Sequence, residues 1–164
     1  MALALRAEAE VIPICIAAFV LGQVRTPVVP GHDLDFWVGS WKVYEGKVLA
    51  GTDVVTKSLD GFAITEKWHG VTAGDEGTSL FYYMPAKKQW KQVWVTPSGV
   101  FKEKVSTPVK GGIRFSGTVF LPRGKTYQDR TTLTKLPHGE VHQVIESYVG
   151  GTWAVGFDAV YRKE

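Results

Sequence analysis

The sequence predicts an all-β domain, an antiparallel up-and-down β-barrel of about eight to ten strands. Residues 33–164 contain short runs of β-branched and aromatic residues, broken by glycine, proline and aspartate at intervals of roughly 8–12 residues. Connectors this short favour antiparallel neighbours, because a parallel crossover needs about a dozen residues or more. No helical period of useful length interrupts the runs. A meander this long is expected to close on itself, since closure removes its exposed edges.

The runs follow one another along the whole of this domain, and each is predicted to form one strand. They cover residues 41–47, 52–59, 62–69, 78–84, 89–96, 100–105, 112–121, 126–136, 140–148 and 152–162. The connectors carry residues that preset a turn or tolerate positive φ, such as Asp60-Gly61 and Gly150-Gly151.

The chain before the barrel divides into two segments. Residues 11–22 are almost entirely apolar and follow Arg6, but at twelve residues they are too short for a span of ~20. This pattern is typical of a secretory signal, so residues 1–22 are predicted to be a signal peptide cleaved before Gln23. Residues 23–32 hold two prolines and are expected to form an extended linker. The protein would then be secreted or periplasmic. The alternative is a cytoplasmic protein whose N-terminal segment packs on the barrel.

Composition argues against several classes of function. The net charge is only +3, with lysine and arginine scattered, which does not indicate a nucleic-acid partner. Cys15 is the only cysteine, so no intrachain disulfide forms. The histidines show neither zinc-site spacing nor an inward position for haem, and phosphate-loop and dinucleotide motifs are absent. The sequence therefore predicts no metal and no cofactor, and it gives no sign of the oligomeric state.

Strand alternation predicts which side chains point into the barrel. In residues 62–69 the inner face carries Glu66 between Ile64 and Trp68. In residues 89–96 the tryptophan face, with Gln92, is taken as inner because it buries more area. In residues 126–136 hydrophobicity does not show whether the inner face is the one that carries Arg130 or the opposite one. The interior is predicted to be mixed. Its aromatic walls are Trp68, Trp94, Phe115, Trp153 and Phe157, and its polar points are Glu66, Gln92, Gln143 and, in one of the two alternatives, Arg130.

Aromatic walls with a few converging polar groups are typical of a small-molecule pocket. The alternative is a satisfied polar network that fixes strand register. The predicted ligand-binding residues are Trp68, Tyr83, Gln92, Trp94, Phe115, Arg130, Gln143, Trp153 and Phe157. Glu66 is the candidate catalytic residue, because an apolar setting raises the pKa of a carboxyl towards that of a general acid or base. If Arg130 points inward, the two would instead form a structural ion pair.

Several motifs carry a resemblance over residues 33–162. They include the opening from Asp35 to Trp41 (Asp-Phe-Trp-Val-Gly-Ser-Trp), Glu66-x-Trp68 and Trp90-x-Gln92-x-Trp94. In order and spacing they resemble a family of bacterial lipocalin-like, or calycin-like, domains of uncharacterised function. The resemblance implies a β-barrel and no established reaction. Ser40 departs from the acidic residue usual in that family. Separately, Gly39-Ser-Trp41 resembles the Gly-x-Trp signature of lipocalin-like barrels, which implies that a basic residue of the last strand packs on Trp41, for which Arg162 is the candidate.

Together these patterns predict a barrel that binds a hydrophobic or aromatic small molecule. The alternative is a cofactor-free barrel enzyme of the cyclase or isomerase type, in which Glu66 moves a proton. Barrels of this architecture support both roles, so the fold does not decide between them.

Overall fold

The computed structural model describes residues 30–164. Ten strands make up most of this range, each with the β-branched and aromatic composition that suits a pleated, half-buried surface. They are β1 (Gly39–Glu45), β2 (Val48–Ser58), β3 (Ala63–Gly70), β4 (Glu76–Met84), β5 (Gln89–Val95), β6 (Phe101–Val109), β7 (Gly112–Phe120), β8 (Thr126–Lys135), β9 (Val141–Val149) and β10 (Thr152–Lys163).

Every strand pairs antiparallel with its neighbours in sequence, and β1 pairs with β10 to close the barrel. The predicted all-β, up-and-down barrel is confirmed, and each predicted run corresponds to one strand. Within residues 30–164 each helix is a three-residue 3-10 turn, too short to cross a bilayer. The turns are Asp35–Trp37, Leu59–Gly61, Pro85–Lys87 and Pro137–Gly139. The predicted signal peptide, and the predicted linker as far as residue 29, lie outside the described residues.

One end of the barrel is filled by the turn Asp35–Trp37. The Trp37 ring packs edge-on against Phe81 at 5.4 Å and Tyr161 at 6.3 Å between ring centres. The Trp41 Nε1 donates a hydrogen bond to the Trp37 carbonyl oxygen at 2.9 Å, which ties the turn to β1. Trp37, Trp41 and Trp90 are all buried, so this end forms an apolar core.

Lys163, and not Arg162, is the basic residue on Trp41. Its Nζ lies 4.1 Å from the centre of a Trp41 ring and donates to the Val38 carbonyl oxygen at 2.8 Å. Arg162 lies instead over Tyr44 on the outside. The expectation for Arg162 was wrong because Tyr161 points inward, so alternation turns Arg162 outward. The cross-strand partner of Trp41 is Lys163.

The sixth strand continues past its predicted end at residue 105, reaching Val109 through Pro108. Beyond Val105 it pairs with β7 alone, since the register with β5 ends there. The missing N–H of Pro108 therefore removes no ladder bond with β5.

A bulge at Gly156 in β10 shifts the register between Val155 and Phe157. The extra residue reverses the alternation on its N-terminal side. Phe157 stays inside, opposite Ile145, whereas Trp153 lies outside, opposite Tyr148. The predicted inward position of Trp153 was wrong for this reason.

Candidate functional site

A cavity of about 390 Å³ occupies the end of the barrel opposite the Trp37 turn. Its mouth lies between the β3–β4 and β5–β6 loops, where Asp75 and Ser98 line it. Its wall combines two kinds of side chain. The apolar ones are Trp68, Trp94, Val100, Ile145 and Phe157, and the polar ones deeper inside are Glu66, Gln92, Lys102, Lys104, Thr131, Gln143 and Tyr161.

Glycines on neighbouring strands make room for the two wall tryptophans. A Cβ on Gly77 would overlap the Trp94 ring, and a Cβ on Gly51 would lie 2.6 Å from Trp68 Cη2. Trp68 packs edge-on against Phe157, with 6.0 Å between ring centres, and its Nε1 donates to Asp75 Oδ1 at 3.2 Å. The indole of Trp68 therefore joins the mouth loop to the apolar wall.

Glu66 belongs to a chain of polar side chains from three adjacent strands. The Ser79 hydroxyl donates to Glu66 Oε2 at 2.5 Å, and Gln92 Nε2 donates to Ser79 Oγ at 3.0 Å. This order of donors leaves Gln92 Oε1 buried with no hydrogen-bond partner among residues 30–164. Burial raises the pKa of Glu66 to about 7, and the Ser79 hydrogen bond and the charges of Lys102 and Lys104 limit the rise.

Asp53 lies on β2, two residues from Val55, which is the cross-strand partner of Glu66. The side chain is fully buried, and in the described part of the chain neither carboxyl oxygen has a side-chain hydrogen-bond partner. Burial, with the neighbouring Glu66, raises the pKa of Asp53 to about 9. Asp53 is therefore neutral near pH 7, because an unpaired charge in this setting is strongly penalised.

Two lysines of β6 share one aspartate of β8, on the side of the barrel across the cavity from β2 and β3. Lys104 Nζ forms a buried ion pair with Asp129 and donates to Thr131 Oγ1 at 2.7 Å. Lys102 Nζ lies 3.3 Å from the other Asp129 oxygen. Burial lowers the pKa of Lys104 to about 8, and Asp129 opposes the fall. The wall thus carries two amines against one carboxylate.

Gly117 lies between the two residues of this pair, on the intervening strand. It is the β7 partner of both Lys104 and Asp129, so the three residues form one row across three strands. A Cβ at position 117 would lie 2.8 Å from the Lys104 Cα and closer still to the Glu103 carbonyl oxygen. Any side chain here would collide with the backbone of β6, so this close approach of β6 and β7 requires glycine.

A further polar pair joins the last two strands. The Tyr161 hydroxyl donates to Gln143 Oε1 at 3.0 Å, and both side chains line the cavity. Burial, with the nearby Asp53 and Glu66 carboxyls, raises the pKa of Tyr161 well above its usual value. Tyr161 therefore stays a hydrogen-bond donor throughout the neutral pH range.

The structure brings most of the predicted site residues together. Those that line the cavity are Glu66, Trp68, Gln92, Trp94, Gln143 and Phe157. Phe115 lies below the cavity in the apolar core, packed on Phe81. Tyr83 lies at the closed end, with its ring centre 5.3 Å from that of Trp90.

Arg130 lies on the outside of the barrel. It donates two hydrogen bonds to Glu146, of 2.6 and 2.7 Å, and its guanidinium stacks 4.2 Å above a Trp153 ring. The alternative that turns Arg130 inward was therefore wrong, because Thr131 is the inward residue at this point of β8. The predicted ion pair between Arg130 and Glu66 does not form.

Sequence reasoning missed the lysine pair and its aspartate. Apolar residues mark the inside in most strands, but in β6 Phe101 and Val105 are on the exposed face while Lys104 is inside. The available signal was the alternation of Lys102, Lys104 and Ser106, combined with the glycine at position 117. Asp53 was also missed, because charged residues are rarely buried and strand alternation alone did not place it inside.

No family model matches the chain, and the search of the curated proteins gives no match. The resemblance to lipocalin-like domains therefore remains a prediction.

Proposed function

We propose that this protein binds a hydrophobic or aromatic small molecule in the cavity of the barrel. The observation that carries the proposal is the combination of an aromatic mouth with a polar interior in one cavity of about 390 Å³. Ligand sites are commonly about 300–1,000 Å³ in volume, largely apolar, with a few polar groups that fix orientation. A barrel that needed only a core would fill this space, as the closed end does around Trp37 and Trp90.

The unpaired oxygen of Gln92 supports the same proposal. A buried acceptor without a partner costs about 1–3 kcal/mol, and this one belongs to a residue that lines the cavity. A rotation of the Gln92 amide that turns Oε1 into the cavity would let a bound ligand or water donate to it and remove this cost. The ligand therefore has an apolar body for the mouth and at least one polar group for the interior.

Tryptophan fluorescence tests the proposal directly. Titration with a panel of hydrophobic and aromatic probes is expected to give a saturable change, because Trp68 and Trp94 line the cavity. The W94F variant should lose much of the change. The W153F variant should keep it, because Trp153 lies outside against Arg130. The absence of a saturable response to every probe would contradict the proposal.

A second candidate function is proton transfer by Glu66 in the same cavity. The observation that favours it is that Glu66 lines the cavity, pairs with no arginine of residues 30–164 and has a pKa of about 7. Such a carboxyl can donate a proton to one carbon of a bound alkene or enol and accept a proton from another. The reaction would be an isomerisation or cyclisation that needs no cofactor.

The E66Q variant distinguishes this candidate from simple binding. If the protein is catalytic, turnover of a bound ligand should fall by ~10²–10⁴, because the amide keeps the shape but transfers no proton. Product formation is measured by liquid chromatography with mass spectrometry, because the product is an isomer of the same mass and is recognised by its retention time, with the outward-facing E146Q as the control. Ligands that bind to the wild-type protein and are recovered unchanged would contradict catalysis and leave the binding proposal intact.

A further inference from the structure

The part of the cavity wall formed by β6 and β8 carries more positive than negative charge. Lys102 and Lys104 both line the cavity, and Asp129, the carboxylate that they share, is 1% exposed and is not part of the lining. The Lys104 amine forms an ion pair with Asp129 and donates a hydrogen bond to Thr131. Lys102 makes one hydrogen bond, at 3.3 Å, among the described residues, and its side chain is 19% exposed. Its amine therefore keeps donors free towards the cavity.

The acidic groups of the lining do not cancel this charge by direct pairing. The Glu66 carboxyl is bonded to Ser79, and at the mouth Asp75 accepts from Trp68. Glu76 is half exposed and lies 4.0 Å from His69 Nε2. Within residues 30–164, Asp129 is thus the one carboxylate in contact with the two amines. Since Asp129 also lies behind them, an anion that enters from the cavity would meet their free side.

We infer that the ligand of this cavity is an apolar or aromatic molecule with one carboxylate, which binds the amine of Lys102 beside Lys104. Its apolar body lies against Trp94 and Phe157 near the mouth. This inference rests on the proposed function and names the chemical class of the ligand. Hydrogen bonds between charged groups are stronger than neutral ones, and a partly buried amine makes the preference for an anion larger than it is in water.

The charge of Glu66 is expected to change when an anionic ligand binds beside the two lysines. The groups around it are Asp53 from β2, Ser79 from β4, Gln92 from β5, the two lysines of β6 and, from β10, Tyr161 bonded to Gln143. Asp53 and Tyr161 are neutral near pH 7, so an ionised Glu66 balances the second lysine. A ligand carboxylate replaces that negative charge and raises the pKa of Glu66. Binding near pH 7.5 is therefore accompanied by uptake of a proton.

Matched probes test the ligand class. The panel consists of 1-naphthaleneacetic acid, 1-naphthaleneacetamide and 1-naphthaleneethylamine, together with dodecanoic acid, dodecanamide and dodecylamine. Dissociation constants are measured by tryptophan fluorescence at pH 7.5. In each series with measurable binding, the acid should bind about 10–100-fold more tightly than its amide, the range expected for a hydrogen bond to a charged group.

Lysine variants connect this preference to the site. K102M should remove most of the acid preference, measured as the ratio of the amide and acid dissociation constants, while Asp129 keeps Lys104 as its partner and the fold is retained. K91M is the matched control, because Lys91 pairs with Glu103 at 3.2 Å on the outer face of β5. Calorimetry of acid binding in phosphate and in Tris should show more proton uptake for the wild-type protein than for E66Q, in which only the Lys104 amine, with a pKa of about 8, can still take up protons.

The outcomes separate the inference from the function on which it rests. Equal binding of acids and amides, an acid preference that survives K102M, or tighter binding of the amines would overturn the inference and leave a binding barrel. Proton uptake by E66Q equal to that of the wild-type protein, or no uptake by the wild-type protein, would overturn the charge exchange at Glu66. Failure of all six probes to bind would count against both.

Discussion

Replacing Asp53 with asparagine is expected to flatten the dependence of the unfolding free energy on pH between about pH 5 and 8. The pKa of Asp53 is raised from 3.8 to about 9 in the folded protein. Over this range the folded state keeps a proton that the unfolded state has released. Stability from the neutral carboxyl is therefore complete below about pH 4 and falls by about 1.4 kcal/mol per pH unit as the pH rises towards the folded pKa.

Urea unfolding at pH 5, 6, 7 and 8 measures this slope. The buried amide of D53N has its own cost, but that cost is the same at every pH, so the comparison uses slopes. Relative to wild type, D53N should gain about 4 kcal/mol between pH 5 and pH 8. D33N is the control, because Asp33 is exposed and its removal should leave the slope unchanged. Equal slopes for wild type and D53N would show that Asp53 is not held neutral.

The second large effect is expected for D129A, which removes the carboxylate shared by the two lysines. Lys104 is 1% exposed, so its amine would be left buried without a counter-charge. Breaking a buried ion pair in this way costs about 3–5 kcal/mol. Denaturant unfolding at pH 7 should show a loss of this size, with a lower midpoint and a similar m-value.

Two further variants make the test specific. E140A breaks the exposed pair with Arg162 and should cost no more than about 1 kcal/mol, because surface ion pairs contribute little. The double variant K104M/D129L replaces the buried pair with apolar side chains and should recover most of the lost stability. A cost for D129A no larger than that for E140A would mean that the amine of Lys104 finds solvent in the cavity.

The fold was predictable from the sequence because strand periodicity and turn residues are local signals. Each connector carries its own turn chemistry, and consecutive antiparallel strands need no long-range information to be ordered. The extension of β6 was not predictable, because Pro108 normally argues against a strand. Its place beyond the pairing with β5 depends on the stagger between the strands, which only the closed barrel defines.

The site was predicted in part, and the failures have specific causes. Glu66, Gln92 and the two mouth tryptophans follow from simple alternation within uninterrupted strands. The outward position of Trp153 does not follow from alternation, because one extra residue at Gly156 reverses the pattern on its N-terminal side. The Lys104–Asp129 pair spans three strands through Gly117, so no window of neighbouring residues contains it.

The filled end and the hollow end of the barrel give this chain separate regions for stability and recognition. Trp37, Trp41 and Trp90 are fully buried at one end, while Trp94 and Phe157 at the other are partly buried, line the cavity and pack against the edge of the core. Substitutions at Trp94 and Phe157 can thus change the shape of the cavity while Trp37, Trp41 and Trp90 stay in place. The barrel is in this respect a suitable scaffold for engineering new ligand selectivity, with the mouth residues as the positions to randomise and the Trp37 layer as the part to leave intact.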